Sequence, residues 1–182
     1  MKIKKHIRFN IPALLLSLLI FQACEEQPVN LMVPYNPPPV LVTVPPVAAP
    51  AEIIFGMDFT VKMDSVLAAQ HLDWDNITHI NTNHLTLNAV DGEQIISVPL
   101  DSIRIYLETD DTGRVLIGHR YQNLLDSTSL ISISPDRNDL TQHLRSDTLQ
   151  LILAAMIRED FTDTLVMRLD MEWHIRAEEQ GE

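Results

Sequence analysis

The chain has 182 residues, of which 46% are hydrophobic, with 25 acidic residues against 13 basic ones and a formal net charge of −12. Nucleic-acid binding depends on basic residues that displace counterions from phosphates, so this balance argues against a nucleic-acid partner. The single cysteine excludes an internal disulfide and a cysteine-based metal cluster, so the folded part depends on a packed core.

The first 24 residues have the pattern of a secretory signal, in which basic residues precede an apolar run and a small residue precedes the cleavage point. The apolar run covers residues 11–21. As a helix it measures roughly 16 Å. A bilayer core is about 30 Å thick, so this run is too short to span it. The basic residues are Lys2, Lys4, Lys5 and Arg8.

The end of this segment resembles the lipobox of bacterial lipoproteins, in which a cysteine after a small residue is lipidated and becomes the mature N-terminus. Ala23 and Cys24 match that motif, whereas Phe21 and Gln22 replace its usual leucine and small residue. The resemblance implies lipidation of Cys24 and attachment to a membrane through several acyl chains, which anchor stably. It also implies a place in the Gram-negative cell envelope, at the outer membrane, facing the periplasm or the exterior. The alternative is an incidental thiol near a signal peptide.

Removal of residues 1–23 takes away four basic and no acidic residues, which leaves a formal charge of −16. An anionic membrane surface repels such a domain, so the lipid on Cys24 is the expected anchor. Solubility explains this acidity, and a cationic partner or bound Ca²⁺ is the alternative explanation.

Residues 25–50 contain eight of the eleven prolines. This density excludes helices and interior strands and favours polyproline II. At about 3.1 Å per residue the segment reaches about 80 Å, so we predict a stalk. The apolar run Val40–Val44 is the exception, because it either docks on the domain as an edge strand or meets a partner. The prolines are Pro28, Pro34, Pro37, Pro38, Pro39, Pro45, Pro46 and Pro50.

From Glu52 the apolar residues alternate with polar ones, the period of strands with one buried face. The turn signals Asp91-Gly92 and Asp110–Gly113 separate predicted strands, and the second of them predicts a hairpin. Residues 63–71 and 138–145 are predicted helical turns, and Asp64 or Ser65 is the expected N-cap of the first. The polar stretch Thr78–His84 predicts an irregular or bulged strand. The predicted strands are 53–61, 76–89, 94–98, 102–108, 114–120, 130–134, 149–157 and 165–176.

This pattern predicts an all-β fold, an antiparallel β-sandwich of seven or eight strands with two short helical insertions. Alternating strands bury one face against a second sheet, which makes the sandwich the natural arrangement. The Cys…Trp…Cys pattern of immunoglobulins is absent, so the immunoglobulin likeness is one of architecture. The predicted organisation is a signal peptide at 1–23, a lipid-anchored Cys24 with a proline-rich tether at 24–50, and the sandwich at 51–182.

The candidate site residues have both structural and functional interpretations. Scattered histidines show no metal motif, and His79 and His84 are five apart, so on a regular strand they point to opposite faces. Asp73–Asn76 and Asp110–Gly113 are acidic loops with oxygen ligands for Ca²⁺, although Asx turns explain both. Trp74, in a polar loop, is a candidate platform for sugar rings, whereas Trp173 is predicted to lie in the core.

Five Asp-Ser/Thr triplets are similar to acceptor motifs of a general O-glycosylation system for exported proteins. Asx and Ser/Thr turns before strands explain several of them as well. The triplets are Asp64-Ser65-Val66, Asp101-Ser102-Ile103, Asp126-Ser127-Thr128, Asp147-Thr148-Leu149 and Asp163-Thr164-Leu165.

No catalytic motif is present in the sequence, so we expect no enzymatic activity, no catalytic residue and no cofactor. The expected function is that of a lipid-anchored envelope protein that acts as an interaction or structural module, with a protein partner in the envelope. The alternative is a glycan-binding surface module, with or without Ca²⁺, built on the loop Asp73–Asn76.

Overall fold

The computed structural model describes residues 29–90, 100–121, 130–146, 148–160 and 162–179. Nine strands, one α-helix and one 3₁₀ turn make up this part of the chain. The strands are β1 Val29–Tyr35, β2 Val40–Val44, β3 Ala51–Phe59, β4 Ile77–Ala89, β5 Leu100–Thr109, β6 Gly113–Tyr121, β7 Leu130–Pro135, β8 Leu149–Ile157 and β9 Leu165–Glu179; the helix α1 is Met63–Ala69 and the 3₁₀ turn is His143–Arg145.

The strands form an antiparallel β-sandwich, as the alternation predicts. Neighbouring strands follow the order β1-β9-β4-β7-β6-β5-β8-β3, and β2 also pairs with β9. The order folds over between β7 and β6, which share the short pairing of Gly118 with Pro135 and His119 with Ser134. The two layers face each other, because Phe59 of β3 packs edge-on against Trp173 of β9 with ring centroids 6.1 Å apart.

The core lies between these layers and consists largely of alternate residues of the strands, although the bulges interrupt the alternation in β4. On β9 every second side chain from Leu165 to Ala177 is buried, and Trp173 is completely buried, as the sequence predicts. Full burial of one such aliphatic side chain contributes about 1.5–3 kcal/mol, so these rows stabilise the two-layer arrangement.

The segment 24–50 is not a continuous stalk, because two strands lie within it. β1 pairs with residues 173–179 of β9, and β2 pairs with residues 165–169 of the same strand. The Val42 and Val44 side chains are 1% and 3% exposed. The prediction of a domain that begins at residue 51 therefore places the boundary too late: the fold includes Val29 onwards. The alternative of Val40–Val44 as an edge strand is confirmed.

Prolines do not prevent this pairing, since Pro37, Pro38 and Pro39 fall between the two strands. Residues 36–39 interrupt the ladder, while Pro34 lies in β1 at the edge of the sheet. An edge strand has one side without a neighbour, so a residue that lacks an N–H donor is tolerated there.

β4 is bulged in its polar first half, as predicted. Its register against β9 shifts between Ile77 and His79 and again between Thr82 and His84. Each shift inserts one extra residue, which changes the face on which the following side chains lie.

The helical predictions are correct in place and less so in detail. α1 begins at Met63 after Lys62, whose side chain makes no capping bond, so the expected cap by Asp64 or Ser65 is wrong. Asp64 instead accepts a hydrogen bond from the Trp74 indole nitrogen at 2.7 Å. Of the predicted turns at 138–145, only His143–Arg145 is helical.

The predictions that fall outside the described residues include Cys24 with its signal segment, the turn Asp91-Gly92, the strand 94–98 and the triplet at 126–128. Within the described residues, no helix has the length and apolar character needed to cross a membrane.

Candidate functional site

A cleft of about 330 Å³ lies where the β4 and β9 strands meet the segment that follows β7. We call it the β4–β9 cleft. None of its lining residues is acidic, although acidic residues outnumber basic ones nearly two to one in the whole chain. The lining residues are His79, Asn81, Thr82, Asn83, Pro135, Arg137, His174 and Arg176.

The bulges of β4 bring its polar side chains to this cleft. His79 lies opposite Arg176, and His84 lies opposite Glu172. Arg176 and Glu172 are four residues apart on β9 and share its outer face, so the two histidines also share that face. The prediction that they point to opposite faces is wrong, because the register shift between Thr82 and His84 adds one residue between them.

Two carboxylates lie next to the two histidines that line the cleft. Glu172 accepts a hydrogen bond from the Asn83 amide at 2.6 Å and lies 3.1 Å from the Nε2 atom of His174. The Oδ1 atom of Asp139 lies 3.4 Å from the Nδ1 atom of His79. Each histidine is therefore held by a neighbouring carboxylate.

Asp139 is ionised and anchors the loop beside the cleft. Partial burial alone would raise the pKa of Asp139, but the Thr141 hydroxyl and the amides of Thr141 and Ile80 donate to its carboxylate, and together with His79 they hold the pKa below 3.8. Hydrogen bonds to the charged form of Asp139 stabilise that form. They also hold the Oδ1 atom of Asp139 toward the protein.

The two arginines of the cleft are without partners in the described part of the chain. Six of the eight arginines described have their guanidinium groups engaged by a carboxylate, a carbonyl or an aromatic ring. The exceptions are Arg137 and Arg176, for which no ion pair, hydrogen bond or ring contact is found among those residues. Both line the same cleft.

The loop Asp73–Asn76 uses its polar groups internally. The Asp73 carboxylate accepts hydrogen bonds from the amides of Asp75 and Asn76, at 2.9 and 3.2 Å. The Asn76 side chain accepts one from the Asp73 amide. These bonds form an Asx turn, the structural interpretation of this loop.

Trp74 is not an open platform. Its ring is partly buried against the core, and the Arg145 guanidinium lies 5.0 Å from the ring centroid. Its indole nitrogen is committed to Asp64. One face and the polar edge of the ring are therefore occupied by the protein itself.

The loop Asp110–Gly113 is the predicted hairpin turn between β5 and β6. Thr109 and Thr112 bond through their hydroxyls at 2.6 Å, and Gly113 has a positive φ of 76°. Asp110 also borders a separate cleft of about 220 Å³. No group of three or more histidine, cysteine or acidic side chains able to hold a metal ion occurs within the ranges described.

Two further histidines, His119 and His143, have structural environments. His119 bonds Asp136 at 2.6 Å and its ring lies 4.8 Å from that of Tyr121. His143 is buried, and no hydrogen-bond partner of normal geometry is found for either ring nitrogen among the described residues. Burial lowers the pKa of His143, and the Gly113 backbone and the Asp139 charge oppose part of that shift.

The Asp-Ser/Thr triplets differ in accessibility. Ser65 and Thr164 are exposed, at the start of α1 and just before β9, whereas Ser102 is half-buried in β5. Thr148 is exposed beside Asp147, which lies outside the described residues, as does the triplet at 126–128.

In comparisons with known proteins, no protein family matches the sequence and no curated protein matches it. The sequence reasoning missed Arg137 and Arg176 as site residues, because the one lies in a loop and the other reads as the solvent side of a strand. The available signal was the polar stretch Thr78–His84, whose irregularity marks the strand that lines the cleft.

Proposed function

We propose that the chain is a lipid-anchored protein of the cell envelope whose β-sandwich acts as a binding module. The observation that supports binding is the β4–β9 cleft, which is lined by two guanidinium groups that have no partner among the described residues. An uncompensated arginine pair is well suited to hold a ligand by charge-assisted hydrogen bonds. The support for anchoring is the signal segment that ends at Cys24.

The site of attachment lies close to the fold in this proposal. Cys24 precedes Val29 by five residues, a stretch that reaches at most about 18 Å. The outer membrane is the proposed location because of the Gram-negative lipoprotein pattern. The proposed partner of the whole module is a protein of the envelope, rather than a substrate.

The anchoring proposal is tested with Cys24→Ser in cells fed a labelled fatty acid. The expected result is loss of acyl labelling together with release from the membrane fraction. Ala23→Ser keeps a small residue before the cysteine and serves as the matched control, since it retains labelling. Unchanged membrane retention of Cys24→Ser would overturn the anchor.

The binding proposal is tested by a photo-crosslinking amino acid placed at Asn83, an exposed residue of the cleft. The control position is Glu52, an exposed residue of β3 in the opposite layer. We expect a crosslinked species in intact cells from position 83 that is missing from position 52. Identical patterns from both positions would contradict a protein partner at the surface around the cleft.

Glycan binding is the alternative function, and it has to use groups other than Asp73–Asn76. The Asp73 carboxylate and the side-chain oxygen of Asn76 each accept hydrogen bonds from backbone N–H groups of that loop, and Arg145 covers a face of Trp74. A glycan array probed with and without Ca²⁺ distinguishes this alternative, since calcium-dependent glycan signals would favour it.

A further inference from the structure

The chemistry of the β4–β9 cleft narrows the class of ligand. Arginine presents a planar fork of donors that matches anionic oxygens, and its charge does not depend on pH in the physiological range. Arg137 from the loop after β7 and Arg176 from β9 supply two such forks, in a cleft that two imidazoles also line.

The two guanidinium groups offer more hydrogen-bond donors than a single carboxylate uses. A carboxylate offers two oxygens, whereas a phosphate monoester offers three strong acceptor oxygens and a charge of about −1.5 to −2 near neutral pH. Two guanidinium groups from separate segments therefore match a phosphate in both charge and number of oxygens.

The acidic neighbours leave the arginines free for such a ligand. Glu172 is engaged by the Asn83 amide and His174, and Asp139 by Thr141, Ile80 and His79. Neither carboxylate forms an ion pair with Arg137 or Arg176 among the described residues.

With the proposed lipid anchor at Cys24, the cleft lies near the end of the sandwich that is closest to the anchor. Val29, the first residue of β1, pairs with Glu179, and Arg176 lies three residues further along β9. At roughly 3.3 Å per residue the guanidinium-bearing position is about 10 Å from the point where the chain leaves toward Cys24.

We propose that the β4–β9 cleft is a phosphate-binding site, which takes the phosphate of a membrane lipid headgroup or of a free phosphate ester. The location beside the membrane rests on the proposed lipid anchor, whereas the chemistry of the site does not. Phosphate binding here is a local exception to the acidic surface, since the acidic residues are excluded from the lining.

The test has two arms, one for free phosphate and one for a membrane. In the free-phosphate arm, calorimetry measures the binding of inorganic phosphate to the detergent-solubilised full chain. Arg137→Gln and Arg176→Gln are each expected to weaken binding by about tenfold or more, the loss of a charge-assisted pair. Arg168→Gln is the matched control, because Arg168 lies on the outer face of the same strand and is paired with Asp170. Circular dichroism confirms that all three variants fold.

The membrane arm uses the acylated chain in phosphatidylcholine vesicles with and without phosphatidic acid. If the lipid headgroup supplies the phosphate, amide hydrogen exchange in β4 and β9 becomes slower when phosphatidic acid is added. This slowing is then lost in Arg137→Gln and in Arg176→Gln. Free-phosphate binding without this effect identifies a soluble ester. No binding in either arm, or equal weakening by Arg168→Gln, overturns the site. If Cys24 is not acylated but phosphate binding is intact, the proposed lipid anchor is refuted and the phosphate site is not.

Discussion

Gly118 of β6 faces Leu85 of β4 so closely that a Cβ atom on Gly118 would overlap the Cδ1 atom of Leu85. The contact lies at the fold-over between the two layers, where Gly118 also pairs with Pro135. A hydrogen in place of a side chain is what lets the layers approach here. This glycine serves close packing, and its backbone needs no special conformation.

Gly118→Ala is therefore expected to destabilise the fold by about 1–3 kcal/mol, the usual cost of overpacking a dense core. The measurement is the free energy of unfolding in urea. Gly56→Ala is the control, because its nearest neighbour is the flexible Gln150 amide at 3.2 Å. We expect that control to change stability by less than about 0.5 kcal/mol.

A double variant separates the contact from a general backbone effect. Leu85→Val removes the atoms that Gly118→Ala would displace, so the two substitutions together should cost less than the sum of their separate effects, by about 0.5 kcal/mol or more. Strict additivity would contradict the close contact as the cause.

Because β2 packs on the sandwich as an edge strand, substitutions at its buried and exposed positions should have unequal effects on the free energy of unfolding. Val42→Ala removes buried methyl groups and leaves a cavity, so a loss of about 2 kcal/mol is expected. Leu41 is 61% exposed on the same strand, and Leu41→Ala should change the unfolding free energy by less than about 0.5 kcal/mol. Equal small effects at both positions would show that residues 40–44 are a solvated stalk after all.

Buried His143 makes the fold sensitive to mild acid. Its pKa is lowered by burial, so the unfolded chain binds a proton more readily, and stability that is complete above about pH 6.5 falls as the pH drops. His143→Leu should remove this loss, so its unfolding free energy gains on that of the wild type as the pH falls below about 6.5. A constant difference down from about pH 8 would disprove the assignment.

Asp139 differs from His143, because the folded protein favours the charged form of Asp139. Its folded pKa is lowered, so its contribution is present above the unfolded value of 3.8 and is lost as the pH falls through the folded pKa. Asp139→Asn should cost about 0.5–1 kcal/mol at neutral pH, since the side chain is half exposed and screened. The gap between variant and wild type should close in acid, whereas a gap that persists there would indicate a packing effect.

The alternation of residues 149–157 and 165–176 was enough to predict two core strands, because a strand with one buried face has a period of two. β1 and β2 were less accessible to this reasoning. Their prolines indicated a stalk, and only pairing with a distant strand shows that Pro34 occupies a tolerant edge and that Pro37, Pro38 and Pro39 fall in a gap.

The candidate site was harder to predict, because its geometry depends on bulges. A regular strand separates His79 from His84 onto opposite faces, and a single inserted residue reverses that result. The pairing of Arg137 with Arg176 in one cleft comes from segments 39 residues apart. Neither the insertion nor this proximity leaves a periodic signal in the sequence.

The pairing of β1 with β9 also governs how the chain folds. Val29 joins Glu179, so this edge closes a loop of about 150 residues and carries the entropy of that closure. Contacts so distant in sequence slow folding toward the millisecond-to-second range. Because a chain is made from its N-terminal side, β1 is available before its partner β9 and its apolar side chains stay uncovered until β9 follows. Until that pairing forms, this edge of the sandwich is exposed to association with other chains.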